Sequence, residues 1–520
     1  MEGQLRYQSP NRWLTRLGWA ILFIVTVVGL AAVVIRTVEG LGVTNLNYIV
    51  PWGLWVAFYI YFIGLSAGSF LLSTAIYVFG YKKLEPIGRL ALFSALIALI
   101  AGLFFVLIDL GHMERFWTVF VNRNWWSVLE IEIHFYVLYI IVILTELWLL
   151  MRQDLIRCAQ NESGWRATIC GWLTLGSRDL SEASAQRDRR WMKILGIFGI
   201  PIAIGVHGGT GALFAVVKAR PMWYGPLFPI VFIISALASG AALLTFLLAF
   251  FVGRALDKAQ RDDLVLTLGK ITAGLLIFDL LLIWSEFSVG LYGNIPEDVE
   301  VLRLIMFGPF WWVFWLVQIL FGALVPLFFI LWPRTGRDPR MVGLAGLMIV
   351  IGIIGVRLNI VIPALNVPVI PGFDRAYTML PAPTQTTPTL SPEQLNLLTW
   401  LILIAAVITV GVIAALAWLH REGRHDHPMR EGLVAGGTAA LFFLVLLVLV
   451  RWLGSSTALG LSTADLTHTP IGGILGHSEI RSYYVPTLNE WLSSLGLIGL
   501  SIFLGVLGYK ILPLETSEGH

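Results

Sequence analysis

Cysteine is nearly absent from this sequence. The chain has 520 residues and two cysteines, Cys158 and Cys170, both in one polar stretch. An iron–sulfur cluster usually takes four thiolates, and a structural zinc site takes four ligands; these two thiols supply neither. A redox centre for this chain is then a diffusible cofactor, a haem or a partner's. Charge is scarce as well. Only 13% of the residues are charged, against about 25% in soluble proteins, which excludes a soluble enzyme and a disordered chain. The net charge of +3 over 520 residues is far from the clustered basic surface that nucleic acid requires, so no nucleic-acid partner is expected. Alternating apolar runs are missing too, which excludes a membrane β-barrel. What the chain has is apolar residues: 57% of the total, with a mean hydropathy of +0.81. The expected fold class is all-α, a polytopic membrane protein with little outside the bilayer.

A helix needs about 20 apolar residues to cross the roughly 30 Å hydrocarbon core. Twelve stretches qualify: 14–36, 50–79, 87–110, 129–151, 192–217, 226–252, 269–291, 308–332, 341–363, 398–419, 433–452 and 490–512. The first is too long for a cleaved signal peptide and reads as a retained helix. With both termini inside, 25 of the 35 Lys and Arg residues fall in inner segments, as the positive-inside rule asks. The location is a bacterial cytoplasmic membrane, with N- and C-termini cytoplasmic. The long inner stretch 152–191 reads as a solvated, Arg-rich loop that sets this topology. The outer segment 364–397 holds six prolines, from Pro368 to Pro392, and cannot be a regular helix.

An internal repeat is visible. Gly53 and Gly68 are followed by Leu71-Leu72; Gly225 and Gly240, at the same separation, are followed by Leu243-Leu244. The next spans open Gly88-Arg89 and Gly269-Lys270. Two parallel four-helix bundles follow from this, with flanking helices. The resulting division is an N-terminal helix (1–49), a first bundle (50–217) and a second bundle (218–363). After these come the outer segment 364–397, an added helical hairpin (398–452), and an outer segment with the last helix (453–520).

Ionisable residues at membrane depth are costly and mark functional sites. Here they are few, and most lie toward the outer face: Asp109, Glu130, Glu132, His134, His207, Glu286 and Arg357. Asp279 lies near the middle, and Glu146 in the inner half. Arg357 and Glu286 are expected as a buried ion pair or a functional pair. Two transmembrane histidines would allow a bis-His haem b only if both rings faced one cavity. A quinone fits these residue types better. Its carbonyls want hydrogen-bond donors, and its redox chemistry wants two proton-transfer groups, which a His and a carboxylate provide. The aromatic wall for its ring is expected from Trp52, Trp55, Tyr59, Trp117, Trp125, Trp126 and Tyr136, some of which also form the interfacial belt.

Three stretches carry a family resemblance. They are PWGLWVAFYIYFIGLSAGSFLL at 51–72, DLGHMERFW at 109–117 and HGGTGALFAVVKARPMW at 207–223. The element Thr210, Gly211, Leu213, Arg220, Pro221, Trp223 is the most specific. In these the chain resembles the polysulfide-reductase membrane-subunit (NrfD) family, over the first nine spans and the last. His112-Met113 stands where the family commonly has Arg-Pro. The resemblance implies a quinone-interacting subunit, for menaquinone or ubiquinone, with no haem or iron–sulfur cluster of its own. It implies a ferredoxin-like iron–sulfur subunit docked on the outer, periplasmic face. Through that subunit it implies a molybdopterin or multihaem catalytic subunit. The residues expected to act are His207 and His134 on the quinone carbonyls, and Asp109 and Glu132 in proton relay. Tyr59, Tyr136 and Trp55 would line the pocket. Glu146, Asp279, Glu286 and Arg357 would carry protons. The rival readings are a secondary transporter, which would favour inverted repeats and midplane sites, and a b-type cytochrome anchor.

Overall fold

The computed structural model describes residues 12–46, 50–162, 164–251, 256–308, 311–367 and 484–514. The expected hairpin 398–452 lies outside them, as do most of segments 364–397 and 453–489. Nearly all described residues belong to one compact unit, drawn from 1–306, 310–369 and 486–520. The second unit, 307–309 and 370–485, has few described residues.

Every regular element among the described residues is helical, and there is no strand. In chain order they are α1 (Arg12–Glu39), α2 (Leu54–Phe79), α3 (Gly88–Asp109), α4 (Val128–Asn161), the short α5 (Trp165–Leu173), α6 (Glu182–Ala215), α7 (Phe228–Phe250) and α8 (Lys258–Gly293). Next come the short α9 (Pro296–Phe307), a π-helix (Val313–Leu324) that runs on into α10 (Val325–Leu331), α11 (Pro339–Asn366) and α12 (Leu488–Ile511). Ten of the described helices are long and apolar enough to cross a membrane. They coincide with ten of the twelve expected spans. Of these, α2 has 26 residues, whereas α4, α6 and α8 have 34, 34 and 36. The end of the bundle where α3 finishes and α4 begins, here the upper end, is the one expected to face outward.

Burial sorts the helices. In its most apolar stretch α2 is 89% buried and α1 only 11%. A helix apolar all round belongs inside a bundle, and α2 packs against α3, α6 and α7, while α1 pairs chiefly with α12. Small residues set these crossings, as packing in lipid requires. A methyl placed on Gly68 would sit 1.8 Å from the Ala236 carbonyl oxygen, and one on Gly240 would sit 2.4 Å from the Gly68 carbonyl carbon. The two glycines that match in the repeat therefore touch each other. Gly29 meets Gly496 at the α1–α12 crossing, and Gly322 meets Gly352 where the π-helix crosses α11.

Local chemistry fixes the helix ends. Thr487 and Glu490 form a reciprocal capping box at the start of α12, satisfying two backbone N–H groups at once. Ser181 caps α6 by accepting from the Ser184 N–H at 3.2 Å. Asp338 caps α11 ahead of Pro339 at its first turn, the position where a missing N–H matters least. Gly80 closes α2 in the left-handed region, with φ of 72°, a conformation that glycine adopts without strain.

The stretch 152–191 is built differently from the solvated loop expected. α4 continues to Asn161, α5 follows, and α6 begins at Glu182. The reason is a buried ion pair. Arg152 donates from Nε to Asp188 at 2.7 Å, and from Nη1 to Ser177 Oγ and the Asp179 carbonyl at 2.8 and 3.1 Å. A Cys158–Cys170 disulfide joins α4 to α5. Outside the membrane-crossing stretches, the Asp179 carboxyl lies below its ordinary range, chiefly because the Ser181 hydroxyl hydrogen-bonds to it.

Candidate functional site

Helix periodicity assembles the site. Glu132, Tyr136, Tyr139, Ile143 and Glu146 are spaced four, three, four and three along α4, so they form one stripe. All five are buried. The stripe faces α2, α3 and α6. At its upper end three hydroxyls converge on one carboxylate oxygen. Tyr59, Tyr136 and Thr210 donate to Glu132 Oε1 at 2.8, 2.5 and 2.5 Å. The two phenols also contact each other at 2.9 Å. Glu132 Oε2 is buried and meets no hydrogen-bond partner.

His207 lies one turn below Thr210 on α6. It is 1% exposed, and neither ring nitrogen meets a hydrogen-bond partner. Its ring packs at 5.3 Å from Phe232. Gly64 of α2 makes room for it: a methyl there would lie 3.3 Å from His207 Nε2 and 3.4 Å from Arg357 Nη2. Arg357 is fully buried. It donates to Ser235 Oγ at 3.0 Å and its guanidinium lies 4.8 Å from the Phe232 ring centroid, a cation–π geometry. Its Nε and Nη1 meet no partner.

Further down the stripe, Tyr139 and Ser66 are 3.2 Å apart, and Ser66 donates to the Ala95 carbonyl at 2.7 Å. Glu146 follows two turns below Tyr139, its Oε1 unpartnered and 3.8 Å from where a methyl on Gly196 would lie. Glu132 and Glu146 are separated by roughly 21 Å along the helix axis, from the 1.5 Å rise per residue. In the other half, Asp279 is buried with Oδ1 unpartnered and acts electrostatically on Arg357.

The expected site residues do not all meet. Tyr59, Glu132 and Tyr136 come together, with His207 just below. His134 turns away: its Nδ1 lies 2.8 Å from the Glu130 carbonyl, and its ring packs 4.8 Å from Trp125 of the upper loop. The two rings pack differently, His134 against Phe120 and Trp125 and His207 against Phe232. Asp109 ends α3 among Arg36 and Glu490, on the α1–α12 side. Trp55 stands one turn above Tyr59 but donates its indole N–H to Ser493 of α12 at 3.0 Å. The expected Arg357–Glu286 ion pair is not formed. The carboxylate that acts electrostatically on Arg357 is instead Asp279, two turns below Glu286 on α8.

Several contributors were not expected. In the sequence Thr210 is only one member of a motif, and Ser235, Gly64 and Arg36 carry no signal there beyond depth. Arg36 donates to the Ile108 carbonyl at 2.6 Å and also to that of Leu110, closing the end of α3. The Arg-Pro-x-Trp part of the family element proves to be a fastening. Arg220 donates to the carbonyls of Ala364, at 2.9 Å, and Val367, and Trp223 Nε1 donates to that of Ile360 at 2.8 Å. The loop between α6 and α7 is thus tied to the end of α11. Burial pushes the Arg220 guanidinium down from its ordinary value.

The fold and this interior define a class: a multi-pass integral membrane protein with an acid–phenol cluster and an imidazole buried near one end. Comparison with known proteins then places the chain. It belongs to the NrfD family: the family model described as Polysulphide reductase, NrfD matches residues 42–369. It is 46% identical to a selenate reductase subunit of Mesobacillus selenatarsenatis, over 70% of this chain and 85% of that protein. It is 29% identical to the Hdr-like menaquinol oxidoreductase integral membrane subunit of Archaeoglobus fulgidus, over 68% and 81%. It is 25% identical to the menaquinone reductase integral membrane subunit of Nitratidesulfovibrio vulgaris, over 70% and 84%.

Proposed function

We propose that this chain is the quinone-reacting membrane subunit of a respiratory reductase complex. It exchanges electrons between menaquinone or ubiquinone in the bilayer and an iron–sulfur partner on the upper face. The partner in turn serves a molybdopterin or multihaem catalytic subunit. One observation carries the reading. Glu132 has one oxygen held by three hydroxyls and the other buried and bare, with an unpartnered imidazole one turn below. Buried polar atoms are almost always hydrogen-bonded, so bare ones suit a ligand that brings its own hydroxyls. Oxidation of a quinol releases two protons and two electrons. In this reading Glu132 Oε2 accepts one proton, held in place by Tyr59, Tyr136 and Thr210. A ring nitrogen of His207 accepts the other, and the electrons leave to the partner. The names of the relatives support the quinone, and the selenate reductase relative favours quinol as the electron source.

In the same reading α2, α3, α4 and α6 form one four-helix unit. The unit α7, α8, the π-helix with α10, and α11 repeats it. The Gly68–Gly240 contact supports this, because a two-fold relation makes equivalent residues meet. The stripe from Glu132 to Glu146 on α4, with Asp279, is the proposed proton route, and Arg357 stands beside it as a fixed positive charge. In this reading both termini are cytoplasmic, and the charge bias of the loops supports that. Purification from gently solubilised membranes tests the function. A co-purifying iron–sulfur protein and bound quinone are expected; a chain that comes out alone and quinone-free, or that carries solute flux by itself in proteoliposomes, overturns the reading.

A further inference from the structure

A cavity lies away from the Glu132 cluster, at the upper end of α7, α8 and α9. Its volume is about 310 Å³, within the small-ligand range. Trp223, Tyr224 and Phe228 form an aromatic side, and Leu302 adds apolar surface. Two carboxylates complete it: Glu286 on α8 and Asp298 on α9. Asp298 lies against α8, with its Oδ2 at 3.3 Å from where a methyl on Gly290 would be. Neither carboxylate makes a side-chain hydrogen bond or ion pair with the described residues. Burial pushes the Asp298 carboxyl up from its ordinary value. Val289 and Ile295, both more than half exposed, also line the cavity, so it opens on the apolar flank of the bundle.

These features select a ligand. The opening favours a molecule that arrives through the bilayer. Anionic phospholipid head groups are disfavoured, because two carboxylates would face them. The aromatic side fits a flat ring, and two acceptors on facing helices fit a ring with two hydroxyl donors. We propose that this cavity is a second binding site for a lipid-soluble aromatic diol, a quinol head group, whose hydroxyls donate to Glu286 and Asp298. The site is separate from the Glu132 cluster. Between them stands a wall of rings: Trp52 stacks on Trp223 at 6.1 Å, and Phe228 packs on Phe232, beside His207, at 5.6 Å.

The test is binding stoichiometry of a radiolabelled short-chain naphthoquinol to the full chain in nanodiscs. Two equivalents per chain are expected. Gly293→Phe should remove one of them. Gly293 lines the cavity, and a side chain there enters open space, so the fold is retained. Glu286→Leu with Asp298→Leu should remove the same equivalent, and Glu132→Leu should remove the other. A single equivalent that Glu132→Leu abolishes and Gly293→Phe leaves intact overturns this proposal while sparing the proposed function. A single equivalent lost only in the cavity variants supports this site and overturns the Glu132 assignment instead. A cavity equivalent that excess unlabelled naphthoquinol fails to displace would be non-saturable partitioning into the lipid and would overturn the proposal.

Discussion

Glu132 and His134 stand two residues apart on α4, and the helix turns them about 200° from each other. That rotation separates their fates. Glu132 enters the bundle and collects three hydroxyls; His134 stays under Trp125 at the rim. Positioned proton transfer typically contributes about 10²–10⁴-fold. Glu132→Gln should therefore slow quinol oxidation by the assembled complex roughly 100-fold, while His134→Ala should change it less than about threefold. Steady-state kinetics with a soluble quinol analogue measure both, and equal effects would remove Glu132 from the chemistry. The depth of both residues is visible in the sequence, because charged and imidazole groups stand out against an apolar background. Which one faces inward is not. Both fit the apolar period of a helix with partners on several sides, and only the packing of α2 and α6 decides. Thr210 is hidden for a related reason: a hydroxyl is common in membrane helices and carries no signal until it meets a carboxylate.

Helices in this bundle are positioned by backbone contact. Gly68 on α2 and Gly240 on α7 let two main chains touch where any side chain would intrude. Gly68→Ala would have to push α2 from α7, because the obstructing atom is a backbone carbonyl. Overpacking of this kind costs about 1–3 kcal/mol, occasionally more. A loss of about 3 kcal/mol is expected, at the upper end of that range, read as a lowered midpoint in detergent-induced unfolding. Gly274→Ala, where a methyl meets nothing within 4 Å, serves as the control; equal midpoints would mean that the crossing can relax. The ten helices were legible as long apolar runs, since nothing but a helix satisfies its own backbone in lipid. The continuation of α4 past the apolar region was not legible. Its residues are polar and read as a loop. Their helical form is held by the Arg152–Asp188 pair, whose members lie far apart in the sequence.

At the scale of the whole molecule, two observations disagree about sidedness. Lys and Arg accumulate at the end opposite the Glu132 cluster, which is the cytoplasmic end in the proposed topology. The Cys158–Cys170 disulfide lies at the same end, and disulfides are uncommon in a reducing cytosol. The charge bias is summed over nearly every loop, whereas the disulfide is one bond, so the bias takes precedence. In spheroplasts treated with an impermeant phosphine reductant, an impermeant maleimide should label neither cysteine; labelling from outside would invert the topology. The proposed proton route also spans the whole bundle. Glu146→Gln with Asp279→Asn should leave quinone binding intact and abolish coupled proton uptake in proteoliposomes. An unchanged proton stoichiometry would end that idea.

Arg357 has one further consequence. A polar interior that reaches well into the bilayer invites an electrical short circuit. A buried guanidinium, cushioned on Phe232 and close to His207, sets a positive barrier in the middle of that interior. Hydrated cations would be repelled there, much as fixed positive charges exclude them from water channels. The bundle can thus keep proton-exchanging side chains at depth and still insulate. Arg357→Met should make vesicles passively leaky to protons, seen as faster decay of an imposed pH gradient; an unaltered decay would assign the insulation to packing alone.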